Sequence, residues 1–428
     1  MKILLIGQCT LHWGRMEFGN IGNYYIIEPF IQLLHSTFPN AAIRTTFQMS
    51  ERFCSDENIS VLPMELYYGW RNDIEIAIKE LEIAYKYKTS GQYKNTTPFI
   101  DEVKQADLVI DFSGDIWGDN ADFLGENRFY VGLCKDRVAQ IFAKKTVMLA
   151  GSPGPFNNEK NLSFAKEVYS NFDLVTNRES ISTSVLSEYG FDTSKTTSLA
   201  CPAFRFTPTK LSNIAGLDQV SEMIQSSRPK IGFVICGWNF IEGPFDKWPR
   251  EDSEYDVFAN AIEGFCKETN ADIYLMSHSN GFEVPPKKFQ LIHGRDYPII
   301  KQLQKVLSNR GLDNNIYALD GIYSTWQTKA IIGQLDMLDS GRVDDDVAAL
   351  SQYVPTVIIN YGHEPKAHKL KGFASVANVS EYVADPEKEG EVFSLMKKCW
   401  ANKDTYKQDL KTTIPRVKEL AVENFTIL

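Results

Sequence analysis

Short apolar runs alternate with helix-period stretches along almost the whole chain, the pattern of a parallel sheet flanked by helices. In the first half, Lys2–Ile6, Ala42–Thr46, Leu108–Phe112, Thr146–Ala150 and Leu174–Thr176 predict strands. Between them, Tyr24–Leu34, Arg71–Tyr87, Asn127–Ala143, Ser163–Asn171 and Ser180–Tyr189 predict helices. The alternation lapses after Ala203, through Thr207-Pro208-Thr209, which predicts a linker between about Pro202 and Pro229. It resumes with strands expected over Lys230–Cys236, Asp272–Met276, Ile316–Leu319, Leu335–Leu338 and Thr356–Ile359. A charged helical stretch from Glu391 to Glu423 follows and is expected to cross back over the first domain. The expectation is an α/β protein of two Rossmann-like domains facing across a cleft, residues 1–205 and 206–428. Such interfaces are favoured ligand sites.

Length supports two domains, since 428 residues exceed one compact core. With 43% apolar and 23% charged residues, the composition is that of an ordinary globular protein. A net charge of −10 argues against nucleic acid as a partner. It also gives weight to any local cluster of Arg and Lys. The seven cysteines are scattered, without a C-x-x-C pair, as in a reduced compartment. The opening apolar run Ile3–Ile6 is too short for a signal peptide, and no run nears the roughly 20 apolar residues that span a bilayer. A cytoplasmic protein with at most peripheral membrane association is expected.

The richest stretch runs from Leu335 to Phe373: strand, polar turn (Asp339–Arg342), helix (Val343–Gln352), second strand, then a polar loop. Arg342 falls where the first strand hands over to the helix. A guanidinium there sits beside the unpaired N–H groups and positive end of a helix dipole, a natural anion site. His363, Lys366, His368 and Lys369 crowd the loop after the second strand. Ligands of open α/β sheets bind at that edge, so the expected ligand is small and anionic.

Other segments offer candidates with plainer alternatives. Gly19-Asn20-Ile21-Gly22-Asn23 reads as a loop where two glycines allow a close ligand approach, or as loop geometry alone. It is not a G-x-G-x-x-G fingerprint. Asp115, in Ser113-Gly114-Asp115, can accept a sugar hydroxyl's proton or simply cap a helix. Asn177-Arg178-Glu179 brings a second arginine to a strand end; Arg178 is either an anion ligand or an ion-pair partner of Glu179. His278 ends a strand, as a cleft residue or an ordinary loop histidine. Trp238 and Trp248 flank a Gly-Pro-rich loop that can stack on a sugar. No metal-ligand spacing is present, and no metal is expected.

Together these segments resemble the polysaccharide pyruvyl transferase family across nearly the whole chain: GNIGN, the strand-end SGD, AGSPGPF, NRESISTSVLSEYG, CPAF and SGRVDDDVAALSQYVPTVIINYGHEPK. The resemblance implies a GT-B-like fold. It also implies transfer of pyruvate from phosphoenolpyruvate, as co-substrate and without a further cofactor, to two hydroxyls of a sugar or lipid-linked oligosaccharide. By that resemblance Arg178, Arg342, Lys366 and Asn177 hold the donor, and Asn20, Asn23 and Trp238 face the acceptor. Two guanidinium groups, one per domain, are expected to meet on the donor.

The chain departs from the family where R-x-H becomes Arg342-Val343-Asp344. A carboxylate near a phosphate repels it by roughly 1 to 4 kcal/mol at about 4 Å. Asn23 and the Ser113/Asp115 turn depart as well. Three arrangements stay open: His278, His363 or His368 supplies the acid/base group; Asp344 serves as a base toward a different donor or acceptor; or the protein binds a glycan without turnover. Asp344, Asp345 and Asp346 also favour a helix start simply as charges. A nucleotide-sugar glycosyltransferase on the same fold is a further alternative.

Overall fold

The computed structural model describes residues 1–8, 13–69, 71–143, 145–362 and 367–428. The chain forms two units, one of Met1–Glu17, Glu28–Cys201 and Leu420–Leu428, the other of Phe18–Ile27 and Pro202–Glu419.

In the first unit the strands are β1 (Lys2–Ile6), β2 (Ala42–Thr45), β3 (Ile59–Val61), β4 (Leu108–Asp111), β5 (Thr146–Gly151), β6 (Leu174–Asn177) and β7 (Thr196–Ser198). They form one sheet in the order β3-β2-β1-β4-β5-β6-β7, and every pair is parallel. β4 and β5 are buried along their whole length, as strands covered by helices on both faces must be. Trp117 and Phe129 lie in an aromatic core with Phe156, Tyr169 and Phe172. The last residues pack on this unit: Phe425 against Phe30 at 4.9 Å, and Asn424 Nδ2 donating to the Ala200 carbonyl at 2.8 Å.

The second unit holds β8 (Lys230–Val234), β9 (Asp272–Leu275), β10 (Asn280–Glu283), β11 (Gln290–His293), β12 (Ile316–Ala318), β13 (Met337–Ser340), β14 (Thr356–Ile359) and β15 (Val383–Ala384). Six form a parallel sheet in the order β12-β9-β8-β13-β14-β15, and β10 and β11 make a separate antiparallel hairpin. Numbered within each parallel sheet, both begin 3-2-1-4-5-6, the Rossmann order. Strand order reverses beside β1 and β4 in one unit and beside β8 and β13 in the other. Those switch points are where ligands of such sheets bind.

The structure corrects several expected boundaries. The first helix runs Ile21–Thr37 rather than from Tyr24. Asn20 Oδ1 accepts the Gly22 N–H at 3.2 Å, so the glycine segment is a capped helix start, not an open loop. The strand expected at Leu335–Leu338 is Met337–Ser340. Asp339 and Ser340 are therefore buried strand residues, where polarity alone suggests a turn. β3, β7, β15 and the hairpin had no counterpart in the apolar pattern. Each is short and partly exposed, so its residues lack the buried-strand signature. No helix among the described residues is long and apolar enough to cross a membrane.

Candidate functional site

At the switch point of the second unit, Asn239 stitches three strand ends together. Its Nδ2 donates to the carbonyls of Gly341 (3.2 Å), Ile359 (3.1 Å) and Asn360 (3.3 Å), while Oδ1 accepts the Cys236 N–H at 2.8 Å. This side chain is fully buried. A Cβ on Gly341 would lie 2.0 Å from Asn239 Nδ2, so glycine is required for the clamp to close. The sequence reading missed Asn239; its signal is an Asn three residues past Cys236, just after β8.

The clamp fixes Arg342 at the start of the helix Val343–Leu350. Its Nη2 donates to Asp296 Oδ1 at 2.6 Å, and Asp296 is wholly buried. Burial disfavours the guanidinium charge, but Asp296 outweighs it and holds Arg342 charged. Arg342 Nε and Asp296 Oδ2 are buried and have no hydrogen-bond partner among the described residues. An unmet buried donor costs about 1–3 kcal/mol, so an anion accepting from Nε would relieve it.

Beside this pair, His278 Nε2 lies 3.0 Å from Asp345 Oδ1 and 3.4 Å from the Tyr25 hydroxyl. The Asp345 contact is close but poorly aligned, and among the described residues neither Asp345 oxygen has a hydrogen-bond partner. Burial pushes the Asp345 carboxyl up, with His278 and Arg342 pulling it back. Asp346 is driven well above the carboxylate range by burial and by its acidic neighbours. Burial, then Asp345 and Asp344, raises the Tyr25 phenol. Asp345 and Asp346 thus hold their protons more tightly than exposed carboxylates do.

Asp344 lies against Gly22, where an added Cβ would be 1.8 Å from its Oδ2. The glycine thus serves helix-to-helix approach rather than a turn. Asn20 forms an isolated bridge with Ser279, and Asn23 donates its N–H to the Asn20 carbonyl at 3.1 Å. Trp238 stacks on Phe245 with ring centroids 4.3 Å apart. Trp248 is exposed. The second unit therefore brings together Arg342, Asp344 and His278, and places Asn20 beside Ser279, the residue after His278. His363 and Lys366 lie outside the described residues.

Arg178, Asp115 and Asn177 belong to the first unit. Arg178 Nε donates to Ser152 Oγ at 2.8 Å, and its Nη2 is 3.9 Å from Asp115 Oδ1. Its ion-pair partner is thus Asp115, not Glu179. Glu179 instead caps the helix Ser180–Glu188, accepting the Ser182 N–H at 2.9 Å. Asn177 is buried, and its Nδ2 donates to Thr183 Oγ1 at 2.8 Å. At this unit's switch point, Ser113 Oγ donates to Asp111 Oδ2 at 2.9 Å, and burial lifts Asp111 to about 7. Among the described residues no group of His, Cys, Asp or Glu could hold a metal ion.

Against known proteins, a family model described as polysaccharide pyruvyl transferase matches residues 20–342. The amylovoran biosynthesis protein AmsJ of Erwinia amylovora is 30% identical over 220 residues, 48% of this chain and 49% of the relative. The chain thus spans about half the length of that relative. Among solved structures, a glycosyltransferase from Rickettsia africae matches with a TM-score of 0.57 at 11% identity, covering 99% of this chain and 96% of that one. A UDP-GlcNAc 2-epimerase from Neisseria meningitidis, bound to UDP-GlcNAc, matches at 0.56 and 10% identity over 100% of both chains. At such identities the likeness establishes a GT-B-like fold and nothing finer.

Proposed function

Since the chain belongs to the polysaccharide pyruvyl transferase family, we propose that it transfers pyruvate from phosphoenolpyruvate to two hydroxyls of a sugar during glycan assembly. The amylovoran biosynthesis relative, matched over about half its length, supports the glycan setting. The observation that carries the reading is the buried, partly unsatisfied Arg342–Asp296 pair at a helix start on the switch point, with His278 beside it.

In this reading Arg342 takes the donor's carboxylate or phosphate, supported by the helix N-terminus. A proton is added to the methylene carbon of phosphoenolpyruvate, leaving a cationic centre at the carbon bearing phosphate. One sugar hydroxyl adds there and loses its proton. The second hydroxyl then displaces inorganic phosphate and closes the cyclic ketal. His278 is the acid/base group of the second unit in this account, because imidazole can give and take a proton near neutral pH. Asp345 and Tyr25 flank the ring.

The test is phosphate release from phosphoenolpyruvate with a panel of oligosaccharide acceptors. Acceptor-dependent release is expected, with His278→Gln lowering kcat by about 10² to 10⁴. Phosphate release unchanged in His278→Gln would reject that role. A nucleotide-sugar glycosyltransferase is the second reading, favoured by the epimerase bound to UDP-GlcNAc, and predicts UDP release instead.

A further inference from the structure

Both ends of the β10–β11 hairpin are rooted in the site just described. The chain enters it after His278 and leaves it at Asp296, whose backbone N–H donates to Ser279 Oγ at 3.2 Å. Four residues per strand carry the tip roughly 13 Å from that root. Every residue from Val284 to Gln290 is exposed. Val284 at the turn is 39% exposed, Phe289 on the face that packs on Phe18 is 41% exposed, and Ile292 on the opposite face is 37% exposed, so apolar side chains project to both sides of the tip. Phe18 supports the hairpin from beneath, packing on Phe282 at 6.1 Å and Phe289 at 4.7 Å.

The charge of this segment opposes that of the molecule. The chain carries −10 overall, yet residues 284–295 contain Lys287, Lys288 and Arg295 and no acidic residue. Lys287 pairs with Glu283 at 2.5 Å, whereas Lys288 makes no ion pair among the described residues. Apolar tips flanked by lysines suit the boundary between acyl chains and anionic headgroups, with long basic stems reaching to phosphate. A soluble acidic partner would meet the lysines but gain little from three apolar tips. An uncharged apolar partner would have to bury the lysines.

We propose that the tip of this hairpin, Val284–Ile292, docks on an anionic lipid surface. A lipid-attached acceptor would then be presented within a hairpin's length of Arg342 and His278. Because the contact is a few side chains deep, it is reversible and salt-sensitive.

Co-sedimentation of the full chain with vesicles tests this without turnover. Vesicles of equal phosphatidylglycerol and phosphatidylcholine are expected to retain the protein at low salt, and phosphatidylcholine alone to release it. Lys287→Gln/Lys288→Gln should weaken partitioning about 30-fold, and Phe289→Ser about tenfold. All three positions are exposed, so the variants should keep the parent's circular dichroism; the lysine variant should keep its unfolding midpoint, and Phe289→Ser, which also loses packing on Phe18, should lower it only slightly. Equal binding to both vesicle types, or partitioning unchanged in both variants, would overturn the proposal. So would a vesicle-free dimer that Phe289→Ser converts to monomer, since a second copy would then be the occupant.

Discussion

Asp344 stands two residues past Arg342 and lies against Gly22. A carboxylate near a bound phosphate opposes it by roughly 1 to 4 kcal/mol at about 4 Å. Asp344→Asn removes that charge at nearly constant volume. It is expected to tighten phosphoenolpyruvate binding about tenfold in titration calorimetry; unchanged or weaker binding would remove charge from the explanation. Lys329 offers a separate check on the burial of this region. Its Nζ donates to the Phe206 carbonyl at 2.7 Å and lies 5.6 Å from the Tyr25 ring. Burial, with Lys418 second, lowers its pKa from 10.5 to about 7. Between those values the unfolded chain binds a proton that the folded one does not. Stability therefore rises with pH across that window and is lost as pH falls through about 7, with a slope approaching about 1.4 kcal/mol per pH unit. In urea unfolding at pH 7.5, 8.5 and 9.5, Lys329→Met should lack this slope; equal slopes in both proteins would contradict it. Arg342 was legible from its strand-to-helix position alone. The Tyr25–His278–Asp345 group was not, because its members come from distant segments and no spacing rule joins them.

Among the elements, the helix Ile21–Thr37 and the helix Val343–Leu350 meet through Gly22 and Asp344 with no room for a methyl group. Gly22→Ala is expected to cost about 1–3 kcal/mol in urea denaturation. Adding Asp344→Gly should recover part of that loss, because the two changes share one contact. Strictly additive losses would place the clash elsewhere. The same contact explains why the glycine segment reads as a loop. Sequence argues that a glycine frees the backbone, whereas this one frees space for a neighbour. Likewise Asp339 reads as a turn because a carboxyl in the middle of a buried strand violates the usual pattern. Burial raises that carboxyl well above its ordinary value, so the strand position disfavours its charged form. The β10–β11 hairpin escaped notice because its half-exposed residues give neither strict alternation nor a continuous apolar run.

At the scale of the whole molecule, alternating apolar runs and helical stretches were enough to indicate two Rossmann-like sheets, since parallel strands buried on both faces leave that mark. The pattern says nothing of short edge strands. Nor does it assign residues 18–27 to the second unit and 420–428 to the first, because those memberships depend on packing between distant segments. The account's central claim is that the second unit carries the donor site at Arg342. Titration calorimetry of the full chain with phosphoenolpyruvate, and separately with UDP, measures this directly. The predicted result is binding of phosphoenolpyruvate that weakens about a hundredfold in Arg342→Gln and partially in Arg342→Lys, which keeps the charge but not the planar fork, with no heat from UDP. Phosphoenolpyruvate binding that survives intact in a folded Arg342→Gln protein, or heat from UDP and none from phosphoenolpyruvate, would contradict it.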